Sequence, residues 1–102
     1  MRNILFSVRF KTYRNGNLLN WDDFSANIND AINEGRTTSF DVYFEPPMTK
    51  NLTDAWASSI EEMIKVKHNC KVDCLNNNIT WGQGLYSDEI KEITYYFAFS
   101  ID

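Results

Sequence analysis

The chain has 102 residues, 43% of them hydrophobic and 15% aromatic, with a formal net charge of −4. That is enough apolar material for one cored domain and excludes a disordered chain, while no apolar run approaches the roughly 20 residues a membrane helix needs. Two cysteines without dense spacing exclude a disulfide-stapled scaffold; with no secretory leader, they lead us to expect a reducing, cytoplasmic setting.

The first strand is predicted from Asn3 to Tyr13, where Ile4, Phe6, Val8 and Phe10 alternate with Leu5, Ser7, Arg9 and Lys11. Asn15-Gly16 is a tight-turn signal, and Leu18-Leu19 can add a short returning strand. A first helix follows, capped by Asn20 or Asp22, with Trp21, Phe24, Ile28, Ala31 and Ile32 on one apolar stripe and Gly35 just past its end. A second strand from Thr38 to Glu45 turns Phe40, Val42 and Phe44 inward and Asp41, Tyr43 and Glu45 outward, and Pro46-Pro47 stops it.

A second helix is predicted from Thr49 or Thr53 to Lys67, burying Leu52, Trp56, Ile60, Met63 and Ile64, with Glu61 and Lys65 as a four-apart ion pair. Cys70, Val72 and Cys74 alternate with Lys71 and Asp73 as a third strand, Asn76-Asn77-Asn78 reads as a turn, and Ile79-Thr80-Trp81 as a short strand. Gly82-Gln83-Gly84 and the following residues to Glu89 form a loop or single helical turn. The last strand sets Ile93, Tyr95, Phe97, Phe99 and Ile101 against Thr94, Tyr96, Ala98 and Ser100. The two ends of the chain are its best strands, which predicts that they pair in the middle of one sheet.

The order β-α-β-α-β-β-β predicts a single α+β domain over residues 1–102: a two-layer sandwich with a mixed sheet of about four or five strands and both helices on one face. Each strand–helix–strand unit favours a crossover between parallel neighbours. Phe6, Phe40 and Phe97 then lie under the helices, and the opposite sheet face is left to solvent.

No motif for chemistry survives inspection. On a strand, Cys70 and Cys74 lie about 13 Å apart, too far for a disulfide. His68 shares their face in that reading, but zinc wants four ligands and no further His or Cys exists, so no metal and no cofactor is expected. The adjacent carboxylates Asp22-Asp23, Glu61-Glu62 and Asp88-Glu89 do not converge on a substrate, because neighbours on a helix point about 100° apart. Gly82-Gln83-Gly84 lacks the setting of a phosphate loop. An enzyme is not expected; its nearest candidates are His68 and Cys70.

Charge is the stronger signal. Residues 1–20 carry +4, residues 21–62 carry −7 and the remainder −1. An acidic middle disfavours duplex nucleic acid and anionic membranes and favours a basic protein partner. Asp23, Asn27, Asp30 and Glu34 line one edge of the first helix with no cation interleaved, and Glu34 sits unfavourably near a negative helix end. The open sheet face offers Asp41, Tyr43 and Glu45 beside Arg9, Lys11 and Tyr96. Asp30, Glu34, Asp41 and Glu45 are read as steering charges and Tyr43 as an anchor.

In size and charge alone the chain resembles the bacterial immunity proteins that neutralise nuclease toxins, and the phage-encoded inhibitors of host defence. That resemblance implies a small acidic inhibitor masking a basic surface, such as that of a toxin or nuclease. The alternative from another class is a single-strand nucleic-acid binder using Arg9, Lys11, Tyr43 and Tyr96.

Overall fold

The computed structural model describes residues 2–12, 21–35, 38–45, 47–81 and 89–101. The Asn15-Gly16 turn, Leu18-Leu19 and residues 82–88 with their Gly82-Gln83-Gly84 run lie outside these. Six elements follow in order: β1 (Arg2–Thr12), α1 (Trp21–Asn33), β2 (Thr38–Phe44), α2 (Lys50–His68), β3 (Val72–Trp81) and β4 (Ile90–Ile101). The strands form one mixed sheet in the order β2-β1-β4-β3, and the two helices cover one face of it as a two-layer α+β sandwich.

The chain ends do pair at the centre. β1 and β4 run antiparallel from Arg2 beside Ile101 to Lys11 beside Glu92, so Phe6 faces Phe97 and Phe10 faces Ile93. Ile4, Phe6, Val8 and Phe10 from β1 and Ile93, Tyr95, Phe97, Phe99 and Ile101 from β4 are all buried, as their alternation requires. Phe6 stacks on Phe97 at 5.1 Å between ring centres and meets Phe40 edge-on at 5.9 Å. Phe24 of α1 then meets Phe40, and Trp56 of α2 meets Phe44, which joins both helices to the same sheet face.

The first crossover behaves as expected, β1 and β2 being parallel neighbours. The second does not: β2 and β3 are the opposite edges of the sheet, so α2 crosses its whole width rather than linking neighbours. The strand between them is already taken, because the β1–β4 pair occupies the centre. The segments around Cys74 and around Ile79 belong to one strand, β3, with a register shift between Asn77 and Thr80. Asn78 sits there in the left-handed region at φ 57°, which asparagine tolerates, and the irregularity carries the strand past its own triple asparagine.

Helix α2 is capped by Thr49, whose hydroxyl accepts from the backbone N–H of Leu52 at 3.2 Å. Its last turn carries Lys65, Lys67 and His68, which suit the negative helix end, and Asn69 closes it in the left-handed conformation. Its buried row is Thr53, Ala57, Ile60 and Ile64. Leu52, expected inside, is 36% exposed, because the smaller Thr53 takes the core position and directs its hydroxyl to Tyr95.

Helix α1 ends as its glycine predicts. Gly35 has φ +70°, and its N–H bonds the Ile32 carbonyl at 3.0 Å. A Cβ there would come within 2.9 Å of the Arg2 guanidinium, a movable group, so the backbone conformation dominates the cost. Gly35→Ala is expected to lower stability by about 1–2 kcal/mol, read as a drop in the urea midpoint with an unchanged slope; an unshifted midpoint would contradict this assignment.

Candidate functional site

The five residues singled out from the sequence divide between two sides of the molecule. Asp30 lies on the exposed side of α1, with Asp22, Asp23 and, just beyond the helix, Glu34. Asp41 and Tyr43 project from the sheet face that the helices leave open, and Glu45 is exposed immediately after β2. Because α1 covers the opposite sheet face, these five do not form one surface.

On the open face the parallel register sets Arg9 beside Asp41 and Lys11 beside Tyr43, while the antiparallel one sets Lys11 beside Glu92. Arg9 grips Asp41 with two parallel bonds, Nε to Oδ1 at 3.0 Å and Nη2 to Oδ2 at 3.1 Å, and its Nε also lies 3.4 Å from Glu92 Oε1. The bonds to Asp41 hold the guanidinium still more firmly in its charged form. Arg9 thus spends its charge on two carboxylates and offers little to a phosphate. These groups floor a polar concavity of about 490 Å³ bordered by Asn78 and Tyr96, whose hydroxyl accepts from Asn78 Nδ2 at 3.4 Å. Tyr43 is 42% exposed and Tyr96 half-buried. The same face carries Leu5 and Leu75, 49% and 69% exposed, which our reading of the alternation did not single out although their parity assigns them there.

Two polar constellations lie on the helix side. Tyr95, a core residue by its alternation, places its hydroxyl between Thr53 Oγ1 at 3.0 Å and the Asp54 carboxylate, to which it donates. Asp54 also accepts from Lys50 Nζ at 2.9 and 3.0 Å. Burial first, and then the bond to Asp54, raise the Tyr95 phenol far above its ordinary range. Burial pushes Asp54 up, but the bonds from Tyr95 and Lys50 outweigh it and leave the carboxyl below its ordinary value. Farther along, His68 Nε2 lies 3.2 Å from Asn29 Oδ1, tying the end of α2 to α1. Partial burial, with Lys67 and Arg2 nearby, lowers its pKa and favours the neutral ring.

His68 is therefore the last residue of α2 and not part of the strand that carries Cys74; β3 begins only at Val72, after Cys70. The expected His68–Cys70–Cys74 row dissolves because the helix runs one residue past its expected end at Lys67 and takes in His68. Burial raises both thiols, that of Cys74 to about 11, with Glu61 and Asp54 adding to the effect. Such thiols are poor nucleophiles near neutral pH. Among the described residues, no three His, Cys, Asp or Glu side chains gather as metal ligands, and no helix is long and apolar enough to cross a membrane.

Between the helices lies an apolar groove of about 410 Å³ formed by Trp21, Leu52, Ala55, Trp56 and Ser59. The Trp21 and Trp56 rings meet edge-on at 5.5 Å. Fold and surface together define a two-layer α+β domain with an acidic outer helix, a self-neutralised sheet face and an aromatic groove. The chain matches no protein-family model, no curated protein and no solved structure.

Proposed function

We propose that this chain is a small acidic inhibitor that masks a basic surface of another protein, of the immunity type that neutralises a nuclease toxin in the cytoplasm of a bacterium. A phage-encoded inhibitor of a host defence protein would use the same surface in the same way. The observation that carries the reading is the outer side of α1, where Asp22, Asp23, Asp30 and Glu34 are all exposed on a segment without a lysine or arginine. Asp22 and Asp23 suit the positive helix start, whereas Glu34, past the negative end, draws no support from the helix dipole. A predominantly acidic surface of this kind speeds encounter with an oppositely charged partner.

The nucleic-acid alternative is weakened by the same geometry. Its principal cation, Arg9, is held between Asp41 and Glu92, and Lys11 also faces Glu92. The test is affinity capture from lysate of the native cell, before and after nuclease treatment, with wild type and an Asp30→Lys/Glu34→Lys variant. Wild type is expected to retain one basic protein in equal amount, and the variant to bind it about tenfold more weakly or worse. Equal retention by both, or recovery of nucleic acid that nuclease removes, would reject the inhibitor reading.

A further inference from the structure

We propose that the polar concavity on the open sheet face is a binding site in its own right, and that its ligand is a neutral saccharide. It lies on the side of the sheet away from the helices and stands independently of the inhibitor reading.

A break in β3 builds it. Val72 is buried and Cys74 half-buried towards the helices, and by alternation Asn76 and Asn78 belong to that same face. The register shift after Asn77 inverts the parity. Ile79 packs against the core, while Asn78 and Thr80 turn to the open face and border the concavity. Asn78 adopts φ 57° there, and its amide donates to the Tyr96 hydroxyl at 3.4 Å. A bulge alone is enough to guard an edge strand; this one also brings two polar side chains to Tyr96 and Glu92 from the neighbouring strand. Bulges that re-aim side chains in this way gather beside binding and active sites. The floor is small: Ser7 lies beside Ser39 on one side and Tyr96 on the other, and Thr94 lies beside Arg9. Thr94 is only 9% exposed although it belongs to the face without helices, so its larger neighbours stand around it as walls.

The charges choose the class of ligand. Among the described residues the concavity holds one cation, Arg9, between two carboxylates, Asp41 and Glu92. An anion would meet both carboxylates and a cation would meet the guanidinium, so a charged ligand gains little for the water it loses. A sugar hydroxyl both donates and accepts. It can donate to Asp41 or Glu92, and its neighbour can accept from the guanidinium, whose five N–H groups exceed the two that Asp41 takes. Ser7, Ser39, Thr80 and Asn78 offer further bonds of either sense around that pair. Tyr96 adds the apolar body of its phenol, against which the C–H face of a sugar ring packs. The volume of about 490 Å³ falls within the roughly 300–1,000 Å³ of small-ligand sites.

The test titrates neutral trisaccharides of glucose, galactose, mannose and N-acetylglucosamine, at millimolar concentration, into the isotope-labelled protein and follows the backbone amide resonances. Trigalacturonate is the anionic counterpart. At least one neutral trisaccharide is expected to shift Ser7, Ser39, Thr80 and Thr94 and to leave Ser59 and Val66, on α2, in place. Asn78→Gly keeps the backbone, since glycine accepts this positive φ, and is expected to weaken that binding about threefold to tenfold. Asp41→Asn is expected to weaken it about tenfold or more and to improve the binding of trigalacturonate, because Glu92 is then the one carboxylate left beside Arg9.

The absence of shifts with every neutral trisaccharide, or shifts confined to residues outside the open face, would overturn the proposal. So would trigalacturonate binding to wild type as tightly as the neutral probes. An affinity unchanged in both variants, with amide spectra that report an intact fold, would reject it as well.

Discussion

Phe97→Ala is expected to lower the free energy of unfolding by about 3–5 kcal/mol, the range for truncating a fully buried aromatic side chain. Phe97 has no exposed surface, stacks on Phe6 and lies between Phe6 on β1 and Cys74 on β3 in the register of the two sheet ladders. The cavity would open where the two chain ends meet, and central strands give a site little freedom to collapse. Since a domain's whole stability is typically about 5–15 kcal/mol, the variant is expected near the edge of folding. Ile93→Val, at another fully buried position of β4, provides a graded companion expected to cost about 0.5–1.5 kcal/mol.

The informative contrast is Leu75→Ala. Leu75 is as apolar as the core but 69% exposed on the open sheet face, so its truncation is expected to change stability by no more than about 0.5 kcal/mol. Urea unfolding of the three variants under one set of conditions decides the matter. A Leu75→Ala loss comparable to that of Phe97→Ala would mean that the second face is also covered, and the two-layer assignment would have to be abandoned.

How far the sequence predicted this arrangement depended on whether each feature was local. The alternation in Ile4–Phe10 and Ile93–Ile101, and the stripe Phe24–Ile28–Ala31–Ile32, sort side chains by period alone, and these residues are buried as read. Gly35 announced its own left-handed turn. The failures came where a partner remote in sequence decides. Leu52 outranks Thr53 in hydrophobicity, yet Thr53 is buried because its hydroxyl meets that of Tyr95, 42 residues on. The asparagine triplet reads as a turn, yet Asn78 only bulges a strand whose place at the sheet edge is fixed by pairing with β4.

The surface followed the same rule. Exposed acids on α1 were legible because nothing in that helix contradicts them. The neutralisation of Arg9 was not, since it needs the parallel register that brings Asp41, 32 residues away, alongside. The groove was missed for the reason Leu52 was misassigned: a residue counted into the core was no longer available for the surface.

Tyr95→Phe tests the polar contact under α2, and is expected to cost about 1–3 kcal/mol, because it deletes one hydroxyl from between two groups that remain. Tyr95 is 3% exposed and its bond to Asp54 is to a charged group, so the variant removes a bond made largely out of water rather than leaving a group with no partner. Thr53 would keep its bond to the Lys50 carbonyl at 3.0 Å, and Asp54 would keep Lys50 alone.

The variant should also change the pH dependence, at opposite ends for the two partners. The Asp54 carboxyl is depressed in the folded state, burial opposing and the Tyr95 and Lys50 bonds prevailing. Its contribution is therefore present above the unfolded carboxyl pKa and lost as pH falls through the folded one. The Tyr95 phenol is raised, by burial first and by Asp54 second. Its contribution is complete below the unfolded phenol pKa of about 10 and is lost as pH rises from there towards the folded value. Urea midpoints across both limbs should show wild type weakening at each extreme; Tyr95→Phe should lose the alkaline decline due to this phenol and shrink the acid one. Parallel curves for the two proteins, offset but equal in shape, would mean that Tyr95 and Asp54 do not share a proton-dependent bond and that the residue acts through packing alone.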